Sequence, residues 1–147
     1  MFFSNDRNQL RQYYLDVWNK ARQNLPLDPL QQLIADVLRE HPEYHSLLEN
    51  QGTALDADFL PENGQSNPFL HMGMHLALRE QIATNRPRGI TECFQALSAK
   101  LSGTHDAEHA MMECLAEALW QSQRYSLPFD EHHYLQNLKA KAGLSAD

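Results

Sequence analysis

Apolar residues in this chain recur at three-and-four spacing along most of its length, and no stretch alternates apolar with polar as a half-buried strand must. That periodicity restricts the chain to helices. Leu10, Tyr14, Val17, Trp18 and Ala21 form the stripe of a first helix, with Ser4 as its candidate cap. Asp28 and then Pro29 open a second helix as N-cap and first helical residue, with Leu30, Leu33, Ile34, Val37 and Leu38 inward. This helix should stop near His41, because a residue before proline avoids the helical region, and Pro42 begins a short helix through Leu48. Asn67 caps a helix to about Asn85. A modest one over 91–101 turns Phe94, Leu97 and Leu101 inward, and Gly103 ends it. Thr104 caps the longest, from His105 to about Tyr125, and a last helix runs from Glu131 to about Lys141. The polar, turn-rich NQGTALDADFLPENGQS predicts a long loop at about 50–66, pinned by Leu55, Phe59 and Leu60. The tail at 143–147 should fray. The expected fold is all-α, a single domain over 1–147 built as a bundle of five or six helices.

The charge balance narrows the partners. A net charge of −7 disfavours nucleic acid and anionic membrane surfaces, both of which call for a basic face. No apolar run approaches the roughly 20 residues that span a bilayer. The opening MFFSNDRNQL lacks a basic region followed by an apolar one, so no secretory leader is expected. Cys93 and Cys114 belong to no C-x-x-C pair and read as small buried hydrophobes in a reducing cytoplasm.

The chemistry-bearing pattern is H-x-x-x-H, written three times: His41 and His45, His71 and His75, His105 and His109. Residues four apart on a helix differ by about 40° and lie one turn apart, so such a pair can grip one ion from one face. His71 and His75 share an arc with Met74, Leu78 and Ile82. His105 and His109 share one with Met112, Ala116, Leu119 and Trp120, with Glu113 at its edge. Both arcs read as buried, and buried imidazoles need hydrogen bonds or a metal. The expected ligands are therefore His71, His75, His105, His109 and Glu113, with His45 and Glu49 next in line. His41, before Pro42, reads more readily as a helix cap but still stands near enough to join them. The donor set suits transition-metal ions, with iron, zinc or manganese favoured by the carboxylate. With an open coordination position the ion would activate water or bind O₂. Two other readings stand beside this one: a non-catalytic interaction module with a buried histidine hydrogen-bond network, and a haem-binding bundle.

Other features read more simply. Asn85, Arg86 and Arg88 are a candidate anion loop but more readily a solvated turn. The methionines at 72, 74, 111 and 112 fill core, as do Trp18 and Trp120. At least one of His132 and His133 is solvated.

NPFLHMGMHLALREQIATNRPRGI, the HPEYH block and HDAEHAMMECLAEALWQSQR resemble the marker segments of a bacterial family known as domain of unknown function 1841. The likeness covers nearly the whole chain and implies a small stand-alone helical protein, without implying an activity. In ligand vocabulary alone, His109 with Glu113, His71 with His75, and His45 with Glu49 are similar to haemerythrin-like bundles, whose helices hold a carboxylate-bridged di-iron site. The match is partial, because the segment order differs and no His-x-x-x-x-Asp is present. DinB-like three-histidine bundles are a comparably loose match.

Overall fold

The structure, a computed structural model, describes residues 7–50, 54 and 67–145. Among them every regular element is helical. Seven α-helices occur: α1 (Arg7–Arg22), α2 (Pro29–Arg39), α3 (His45–Glu49), α4 (Pro68–Thr84), α5 (Ile90–Lys100), α6 (Thr104–Arg124) and α7 (Glu131–Ala142). A 3₁₀ turn, Pro42–Tyr44, links α2 to α3. The count exceeds the expected five or six; the short helix expected from Pro42 is one of the seven, its first turn 3₁₀ and its remainder α3. Most of the predicted 50–66 loop, with Leu55, Phe59 and Leu60, lies outside the described residues, as do Ser4 and the last two residues of the tail.

The described residues group into two compact units, Met1–Leu76 and Ala77–Asp147, and α4 contributes its first half to one and its remainder to the other. In the first unit α1 packs on α2 and α3. The core joins Tyr14, Leu15, Val17 and Trp18 to Ile34, Val37, Leu38 and Leu48, and to Phe69, Met72 and Leu76 from α4. Burying each such side chain contributes about 1.5–3 kcal/mol. Leu30, expected inside, is exposed; it stands in the first turn of α2, before the buried stripe begins at Ile34. Asp28 caps α2 as predicted and goes further: its carboxylate accepts from the Gln31 N–H while the Gln31 side chain returns to the Asp28 N–H, a closed capping box. The buried Arg11 donates to the Ala54 carbonyl at 2.9 Å and lies over the Phe69 ring.

In the second unit α5, α6 and α7 pack pairwise. Asp130 caps α7 by accepting from the His133 N–H. Gly143, in the left-handed conformation with φ 75, ends it, as Leu144 N–H reaches back to the Lys139 carbonyl. Three expectations fail here. Leu101 is exposed beyond the end of α5. Thr104 begins α6 as a helical residue, Gly103 occupies the cap position, and no side chain caps it. The buried stripe of α6 runs through Ala107, Met111, Cys114, Leu115 and Ala118, so Trp120 is 53% exposed. Cys93 and Cys114 are free and buried as expected, and burial raises both thiols above their usual value.

Burial also raises the Tyr14 and Tyr134 hydroxyls well above the ordinary tyrosine value. In the unfolded chain these groups ionise near pH 10. The folded state favours the protonated form, so the stability they contribute is fully present below about pH 10 and is lost as the pH rises above it. Denaturant titrations monitored by phenolate absorbance should show the midpoint falling above that pH, with Tyr14 and Tyr134 ionising only as the protein unfolds.

Candidate metal centre

His41 follows the last turn of α2, where the final carbonyls of a helix have no partner within it. Its ring Nδ1–H donates to the Val37 carbonyl at 2.7 Å. Four residues on, the His45 Nε2–H donates to the Leu38 carbonyl at 2.8 Å. The HPEYH block is thus a double cap on the C-terminus of α2. Its two rings differ in what they have left. His45 has spent Nε2, and its ring packs 4.3 Å from Trp18. His41 has spent Nδ1, so in the neutral ring Nε2 keeps its lone pair. That nitrogen is buried and has no hydrogen-bond partner, in a residue only 3% exposed.

α4 brings the other imidazoles. Asn67 caps it, accepting from Phe69 N–H at 3.0 Å and Leu70 N–H at 3.3 Å. One turn in, His71 and His75 face each other with their Nε2 atoms 3.2 Å apart. The His41 ring centroid lies 5.2 Å from that of His71 and 4.7 Å from that of His75. Tyr44 stacks on His41 at 5.7 Å and stands edge-on to His71 at 6.2 Å, walling one side. His75 is 1% exposed and His71 half-buried. The candidate nitrogens of His41, His71 and His75 lie within 4.8 Å of one another.

Three imidazoles are a borderline donor set that could hold a transition-metal ion. A tetrahedral ion with metal–nitrogen bonds of about 2.0–2.1 Å sets its ligand nitrogens about 3.3 Å apart, close to the separation of His71 and His75. The Val37 carbonyl does for His41 what outer partners do for metal-bound histidines: it fixes the tautomer and aims the ring.

The remaining predicted ligands are placed as follows. Glu49 is exposed and pairs with Arg22 at 3.6 Å. In the second unit, Glu113 is exposed and pairs with Lys141, so it does not sit at the edge of a buried stripe. His105 is exposed at the first turn of α6 and stands edge-on to His109, with ring centroids 4.3 Å apart. The turn of the real α6 stripe toward Met111 and Leu115 explains both shifts. His109 is half-buried, and its Nδ1–H donates to the His105 carbonyl at 3.0 Å. Asn85 accepts from the Gly89 and Thr91 N–H groups, a turn device, while Arg86 and Arg88 are exposed. His132 and His133 are both exposed.

Sequence reasoning missed one buried ionic contact. In the second unit the Arg79 Nε–H donates to both oxygens of Glu108, at 3.1 and 3.3 Å, with Glu108 6% exposed. Opposite charges 29 residues apart leave no pattern to read.

A sequence model for the family described as "Domain of unknown function (DUF1841)" matches residues 6–140. No curated protein and no solved structure matches the chain.

Proposed function

We propose that this chain, which belongs to the DUF1841 family, binds a transition-metal ion through His41, His71 and His75. The observation that carries this reading is the His41 Nε2: a buried lone pair, without a hydrogen-bond partner, beside two further imidazoles. An unpartnered buried acceptor costs about 1–3 kcal/mol, and a bound ion removes that cost. His105, Glu113, His45 and Glu49 fall behind these three, because each is exposed or engaged by other groups. An all-imidazole set suits zinc, nickel, copper or iron and suits manganese least.

The rival reading is a buried histidine network that fixes the packing of helices. The 3.2 Å contact between His71 and His75, read as a shared N–H···N hydrogen bond, favours it. It leaves His41 Nε2 unexplained.

Elemental analysis of untagged protein by plasma mass spectrometry separates the two. Near-stoichiometric metal is expected in the wild type and its loss in His41→Ala and His75→Ala. A wild type that stays metal-free after reconstitution with each candidate ion overturns the proposal.

A further inference from the structure

The donors that the sequence pattern offered included two carboxylates, and both are held elsewhere, Glu49 by Arg22 and Glu113 by Lys141. What converges is imidazole alone: among the described residues no carboxylate or thiolate joins His41, His71 and His75. Neutral imidazoles bring no charge, so a divalent ion there retains its full +2. Two of the three rings are almost completely buried, where an uncompensated charge is costly and attracts a counter-charge strongly. His71 is the half-buried member, so solvent reaches the group on its side.

Resting on the metal-binding reading above, we propose that the ion takes a small monovalent anion as an exchangeable ligand, entering on the side of His71. The ligand class is hydroxide, azide, thiocyanate or a small carboxylate. Such an anion brings the net charge from +2 to +1 and fills a position that protein ligands leave open, the arrangement that distinguishes reactive from purely structural sites.

The test uses the full chain loaded with cobalt(II), whose visible bands are intense in four-coordinate sites and weak in six-coordinate ones, followed by titration with sodium azide. The expected result is an intense visible spectrum in the wild type, its loss in both His75→Ala and His71→Ala, and a saturable band shift on adding azide. His71→Ala guards against misfolding of the more deeply buried variant, and circular dichroism checks both. Bands that appear with cobalt, vanish in the variants, but stay fixed under a large excess of azide overturn the anion proposal and leave metal binding intact. Absence of any protein-bound cobalt spectrum overturns the metal reading and the anion proposal with it.

Discussion

Saturating the wild-type protein with zinc should raise its unfolding temperature, and His75→Ala should remove that rise. A ligand that binds only the folded state stabilises it by about 4 kcal/mol when present at roughly a thousand times its dissociation constant. For a chain of this size that corresponds to a shift on the order of 10 °C. His41→Ala should behave alike, although its ring lies on a different element, because both side chains are buried and converge on one point. Calorimetry with and without a chelator makes the comparison. If chelation leaves the wild-type transition unmoved while His75→Ala lowers it in either condition, the histidines are a structural network and no ion is involved.

Arg79→Ala should destabilise the protein by about 3–5 kcal/mol, the usual cost of stranding one member of a buried ion pair. One Nε–H is shared between both oxygens of a carboxylate that has little access to water, and the guanidinium is itself partly exposed. Arg79→Met combined with Glu108→Leu should recover most of the loss or exceed the wild type, because removing both charges also removes their desolvation. Denaturant midpoints of the wild type, the single variants and the double variant complete the cycle. A single variant within about 0.5 kcal/mol of wild type would show that water reaches the pair and screens it.

Helix positions were legible in the sequence because their signals are local. Asp28-Pro29 and Asn67-Pro68 act on backbone groups within a few residues of themselves, and each does what its residue type dictates. Facing was less legible. In α6 two apolar series run side by side, one through Met111, Cys114, Leu115 and Ala118, the other through Met112, Ala116 and Leu119. The adjacent methionines make them equally apolar by periodicity; packing against α5 and α7 buries the first together with Met112 and leaves Ala116 exposed. That choice carries Trp120 and Glu113 to the surface. His71 and His75 come together, as their spacing suggests. His41 was ranked low because Pro42 marks it as a boundary residue, and nothing in the letters shows that a boundary residue can turn its ring inward onto a carbonyl four residues back.

Viewed from the helix instead of the ring, that last hydrogen bond ties two properties into one equilibrium. The terminal turn of α2 is held shut by the imidazoles of His41 and His45 on the Val37 and Leu38 carbonyls. Whenever this turn frays, His41 loses the anchor that selects its tautomer and direction. The local opening free energy of the end of α2, measurable by amide hydrogen exchange, therefore sets how much of the time His41 is presented as a donor.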